Sequence, residues 1–135
     1  MNSSEGEHAD RVRALVVGHG DFAAGMVSAV GQITGRAALF QTLSNRDLGA
    51  EELTQRMREA VEDGVAVIFT DLPAGSSTIA ARRVLRDRPE LRLVTGANLA
   101  ALLDFVFKGE ASDAQALERA AEKGRASITV LGGNG

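Results

Sequence analysis

The sequence contains no cysteine, no tryptophan and no tyrosine, and only five phenylalanines and two prolines. Without cysteine there is no disulfide, no thiolate metal site and no cysteine nucleophile, and the chain suits a reducing cytosol. So few aromatics leave no stacking platform for single-stranded nucleic acid. No apolar run approaches the ~18 residues of a membrane span. The longest useful runs are short, such as VAVIF at 65–69. Basic charge is not in excess either. Fifteen Lys and Arg stand against 18 Asp and Glu, a net charge of -3, which argues against a nucleic-acid surface. The opening MNSSEGEHAD lacks the basic-then-apolar order of a signal peptide. It reads as a loose polar tail over 1–10, ahead of a single domain at 11–135. With 44% apolar and 24% charged residues, 135 residues are enough for one domain with its own core.

Glycine is plentiful, 15 of 135 residues, where ~7% is ordinary. Many of these glycines stand where apolar runs stop, as turns and strand-to-helix corners do. Branched apolar runs at 12–17, 65–69 and 91–95 predict strands, with a weaker one at 37–42. Between them lie helical stripes. Phe22, Met26 and Val30 form the first, ending near Gly31 or Gly35, and Leu53, Met57 and Val61 the second, ending at Gly64. A third stripe, with Ile79, Arg83 and Val84, runs over 78–86, where Pro89 stops it, and a fourth holds Leu99, Leu102, Leu103 and Val106. Ser112 with Gln115 reads as a capping box opening a last helix through Leu117, Ala120 and Ala121 to Gly124. Ser127–Leu131 (SITVL) reads as a final strand.

Strands alternating with helices imply an α/β fold: an open, doubly wound, mainly parallel sheet with helices on both faces. Ligands of such sheets sit beyond the carboxyl ends of the strands, where the winding reverses. After the first strand comes Gly18-His19-Gly20-Asp21, and after the third Thr70-Asp71-Leu72-Pro73-Ala74-Gly75-Ser76. A strand order of 2-1-3-4 puts these two segments side by side. It brings His19 to Asp71, so that the carboxylate orients the ring and leaves one nitrogen as a base or nucleophile. Flanking glycines clear space around that nitrogen, and helix N-termini offer free N–H groups to a phosphoryl group. The candidate site is therefore His19 and Asp71 as catalytic pair, with Gly18, Gly20, Gly75 and Ser76 as phosphate-binding residues.

Plainer readings exist for each residue. Asp71 and Ser76 could serve only as helix caps, His8 belongs to the tail, and the arginines at 82, 83, 86, 88 and 92 are broken by Asp87 and Glu90, as on a solvated helix face. Gly18, Gly20 and Ala23 match the dinucleotide fingerprint, but the second strand's end, Phe40-Gln41-Thr42-Leu43-Ser44, lacks the acid that holds a ribose. A histidine phosphatase would carry arginine before the histidine, where Gly18 stands. No metal-spaced cluster and no P-loop is present.

Three segments taken together, VVGHGDFAAGM at 16–26, VIFTDLPAGSS at 67–77 and VTGANLAALLDFV at 94–106, resemble the IIA components of the mannose class of the phosphoenolpyruvate-dependent sugar phosphotransferase system. The resemblance runs from Val12 to Leu131. It implies that His19 accepts a phosphoryl group from the histidine phosphocarrier protein HPr and passes it to a IIB component, serving membrane sugar permease components indirectly. It implies that Asp71 orients the ring, that no cofactor is needed, and that the protein is cytoplasmic, at most peripherally associated with a membrane transporter. It further implies a homodimer with the last strand, near Ser127 to Leu131, exchanged at the interface. A regulatory phosphohistidine module without sugar flux, or the phosphocarrier subunit of a dihydroxyacetone kinase, are the alternatives. The family's loop after the third strand carries two glycines and a closing proline. Here Pro73-Ala74-Gly75-Ser76-Ser77 keeps one glycine and lacks that proline.

Overall fold

The computed structural model describes residues 13–133. The tail expected at 1–10, with His8, lies outside the described residues. Four strands, β1 (Ala14–Gly18), β2 (Phe40–Ser44), β3 (Val67–Thr70) and β4 (Arg92–Val94), form one sheet in the order β2-β1-β3-β4. All three ladders are parallel, so each connection crosses over through a helix. These helices are α1 (Phe22–Thr34), α2 (Ala50–Glu62), α3 (Ser76–Asp87), α4 (Leu99–Phe107) and α5 (Ala114–Ala126). The expected architecture and strand order are those observed.

The sheet divides the core in two because successive strand residues point to opposite faces. Ala14 and Val16 of β1, with Val67 and Phe69 of β3, pack under Val27 and Val30 of α1, Leu102 and Phe105 of α4 and Leu117 of α5. Leu15, Val17 and Ile68 pack on the other face against Leu53 and Met57 of α2 and Ala80, Ala81 and Val84 of α3. Every residue of β1 and β3 is buried, which explains why these two runs are apolar without alternation. The helices leaving β1 and β3 thus lie on opposite faces, and their loops diverge at the carboxyl edge. That divergence opens the crevice in which a doubly wound sheet holds its ligand.

Several boundaries differ from the sequence reading. Ala37–Leu39 is a short 3-10 turn, and β2 starts only at Phe40. The turn seats Ala37 tightly against α1, where a Cβ on Gly31 would come within 2.9 Å of the Ala37 Cβ. Val65 precedes β3 because its N–H closes the end of α2 on the Ala60 carbonyl. The cap of α5 is Asp113 and not Ser112: the Asp113 carboxylate accepts from the Ala116 N–H at 2.8 Å, a charged acceptor at the positive end of the helix.

The C-terminal segment lies apart from the sheet of its own chain. Ser127–Leu131, expected as a strand, joins no ladder among the described residues. Ser127 instead ends α5, its N–H directed to the Lys123 carbonyl. Beyond it Ile128, Val130 and Leu131 are 74%, 95% and 90% exposed. β-branched residues favour a strand, but a strand needs a neighbour, and one side of β4 carries no strand among the described residues.

Phe69 is fully buried and meets Phe105 edge-on, with ring centroids 5.4 Å apart. Phe69→Ala removes the contact that joins β3 to α4 and leaves a cavity. The expected loss is about 3–5 kcal/mol of unfolding free energy, read by urea denaturation.

Candidate functional site

The register sets the site. Val17 of β1 pairs with Thr70 of β3, so Gly18 and Asp71 leave the sheet as neighbours. Asp71 then reaches across Gly18 to His19. One carboxylate oxygen, Oδ2, accepts from the His19 backbone N–H at 2.9 Å and lies 2.8 Å from the ring Nδ1. Only glycine fits beneath this contact. A Cβ on residue 18 would stand 2.6 Å from Phe22 Cδ2 and 2.9 Å from Asp71 Oδ2. The turn that follows is closed by the Phe22 N–H donating to the His19 carbonyl, and Gly20 takes φ +52 within it.

Burial by itself would raise the Asp71 pKa. The hydrogen bonds from the His19 ring and backbone, with the ring's charge when protonated, outweigh it and hold the carboxyl below its ordinary value. An ionised Asp71 makes Nδ1 the donor, so the lone pair of the neutral ring sits on Nε2. The His19 side chain is 58% exposed while that of Asp71 is 11% exposed. The structure thus hides the orienting carboxylate and presents the ring.

The loop after β3 is shaped by its own hydroxyls. Thr78 donates to the Leu72 carbonyl at 2.6 Å, and its oxygen lies 2.7 Å from that of Thr70. The loop's left-handed residue is Gly75, at φ +111, so Ala74 carries no positive φ and the single remaining glycine suffices. A Cβ on Gly75 would lie 4.0 Å from His19 Cε1, which puts this backbone beside the ring. No side chain caps α3. The Ser76 hydroxyl accepts from Asn45 Nδ2 at 2.9 Å, leaving its own proton available.

The structure therefore brings His19, Asp71, Gly18, Gly75 and Ser76 together, with Gly20 one residue along. Sequence reasoning missed Asn45 and Arg46. Asn45 also donates its backbone N–H to the Gly18 carbonyl at 3.0 Å. Arg46 Nη2 lies 3.3 Å from where a Cβ on Gly20 would be, and 3.5 Å from Asp21 Oδ1. The signal was available: β2 neighbours β1, and the rule that sites gather at strand ends applies to Ser44-Asn45-Arg46 as well.

His19 stands on an open shelf. A groove of about 300 Å³ lies elsewhere, between β4 and α5, lined by Val94, Thr95, Leu117 and Ala121 among others. It exists because, among the described residues, the outer side of β4 has no strand on it. An exposed imidazole with hydrogen-bond donors around it suits a group delivered by a large partner better than an enclosed small molecule.

The lowered pKa of Asp71 has a definite sign. A carboxyl whose folded pKa lies below its unfolded value adds stability that is complete above the unfolded value of ~3.9 and is lost as pH falls through the folded one. Asp71→Asn should flatten the fall in stability below about pH 4, measured by urea unfolding across the acid range.

Comparison with known proteins agrees with this geometry. Residues 13–122 match the family model described as PTS system fructose IIA component. No curated protein matches the chain. Among solved structures, a Klebsiella pneumoniae protein provisionally described as a phosphoenolpyruvate-dependent sugar phosphotransferase system permease is 25% identical, with a TM-score of 0.75 over 89% of this chain and 90% of that one. The mannose/sorbose-specific IIA subunit of Enterococcus faecalis shares the fold at 19% identity, with a TM-score of 0.77 over 93% and 98%. The IIA protein associated with the fucose utilisation operon of Streptococcus pneumoniae does so at 21% identity, with a TM-score of 0.74 over 89% and 93%. With the family model spanning most of its length, this chain belongs to the IIA components of the sugar phosphotransferase system, in the fructose and mannose-type family.

Proposed function

We propose that His19 is the phosphoryl acceptor, charged by phospho-HPr and discharged to a IIB component that phosphorylates a sugar at a membrane permease. The observation that carries this reading is the pair of bonds to Asp71 Oδ2, which fix the ring with Nδ1 inward. Neutral Nε2 attacks the phosphorus of an incoming phosphohistidine in line. The donor's N–P bond breaks with its electron pair returning to the donor ring, as the bond from Nε2 to phosphorus forms. The Nδ1 proton stays on its hydrogen bond to Asp71, whose negative charge offsets the positive charge developing on the ring. The amides of Gly20, Gly75 and Ser76, with the Ser76 hydroxyl, receive the phosphoryl oxygens, aided by the positive end of α3. No cofactor enters this scheme, because phosphohistidine is itself the activated species, and its setting is the cytoplasm.

We further propose that the chain works as a homodimer in which Ser127–Leu131 of each copy pairs along β4 of the other. This reading rests on the side of β4 that carries no strand among the described residues, the groove beside it, and the exposure of Ile128, Val130 and Leu131. Deleting residues 127–135 should convert a dimer to a monomer, seen as a halved mass in sedimentation equilibrium. A full-length chain that sediments as a monomer at micromolar concentration would overturn it.

Phosphotransfer from phosphoenolpyruvate through the upstream carriers tests the reaction. His19→Ala should take no acid-labile label, and Asp71→Ala should fold yet transfer about 100-fold more slowly or worse. Label retained by the His19 variant would refute the assignment. Transfer of label to a kinase-bound nucleotide in place of a IIB protein would assign the chain to a dihydroxyacetone kinase.

A further inference from the structure

Arg46 is the cation that β2 delivers to the rim of this site. Its backbone is anchored from both sides. Asn45, just before it, donates its backbone N–H to the Gly18 carbonyl and its side-chain amide to Ser76 Oγ, at 3.0 and 2.9 Å. The Arg46 N–H itself donates to Ser44 Oγ at 3.1 Å. The stem thus starts between the two loops that form the site.

The guanidinium is folded back over the His19 turn. Nη2 lies 3.3 Å from the position of a Cβ on Gly20, the residue next to His19. Among the described residues its one ion pair is with Asp21 Oδ1, at 3.5 Å, between side chains 59% and 90% exposed. A pair that long and that wet is weak. The site therefore holds a cation over the turn that carries His19, with little committing it to its present partner. Asp71, the carboxylate on the ring, is occupied by the backbone and ring of His19.

We propose that Arg46 binds the phosphoryl group once it is on His19, exchanging Asp21 for it. This rests on the reading of His19 as the phosphoryl acceptor. A phosphoryl group carries up to about two negative charges and three acceptor oxygens against one charge on Asp21. A guanidinium binds such oxygens through paired, parallel N–H donors. Asp21, on the same turn, serves as the resting partner that keeps the arginine nearby while the ring is bare. Arg46 is then a phosphoryl-binding residue contributed by the end of the second strand.

The test uses the full chain phosphorylated chemically by phosphoramidate, so that no partner protein enters. The P–N bond of the reagent breaks with its electron pair leaving on ammonia as His19 Nε2 bonds to phosphorus. Phosphorus NMR then follows the ionisation of the bound phosphoryl group with pH. Arg46→Gln should raise the midpoint of that ionisation by about half a pH unit. Arg46→Lys should recover part of the shift, since it keeps the charge without the fork. Thermal unfolding of both variants should match the parent, because the side chain is exposed. An unchanged midpoint in Arg46→Gln would overturn the role of Arg46 while leaving His19 as acceptor. A parent chain that takes no phosphoryl group, or takes the same amount after His19→Ala, would overturn both.

Discussion

A single carboxylate oxygen organises the working edge of this protein. Asp71 Oδ2 accepts from the backbone and lies against the ring nitrogen of the same residue, His19. The first bond fixes where the turn after β1 begins, and the second fixes the ring's rotation and tautomer. Both require residue 18 to lack a side chain, since a Cβ would enter the space of Phe22 and of the carboxylate itself. A buried acceptor with two donors is stable in its charged form, and that charge is what keeps the far nitrogen of the ring unprotonated when the ring is neutral.

The two ends of the sheet are built differently. At the amino end, buried Glu110 lies between Arg36, at 2.9 Å, and Arg13, at 3.9 Å. These ion pairs tie the start of β1 to the segment after α1 and the one after α4. Losing one arginine there would strand a buried charge, so the cluster specifies the closure even where its net contribution to stability is small. At the carboxyl end the clasp is the Asp71–His19 pair itself, at 2.8 Å, with the ring left exposed. Hydroxyl bonds shape the loop after β3 from within, and Asn45 bridges the loops through Gly18 and Ser76. That leaves His19 on a firm shelf with solvent above it.

Much of this arrangement could be read from the chain. The glycines bracketing His19, the acid after an apolar run, and the parallel-sheet rule together place both groups at one crevice. Asn45 and Arg46 escaped because their residue types stand out in no motif, and only the strand-end rule points to them. They matter only through the register that sets Gly18 of β1 beside Ser44 of β2. The segment Ser127–Leu131 is the opposite case. Its β-branched residues signal a strand, yet strand formation depends on a partner edge, and propensity says nothing about whether that edge belongs to the same chain.

Sequence alone determined the alternation of elements and the two central strands, because burial on both faces of a parallel sheet demands continuous apolar runs. It also determined which residue types meet at the switch point. Tertiary structure decided the rest: which carboxylate oxygen takes two donors, which nitrogen faces outward, and which arginine stands over the turn. Those outcomes depend on distances of a few tenths of an ångström between segments far apart in the chain. Hydrogen bonds and close packing are that short-ranged, and a linear pattern carries no distances.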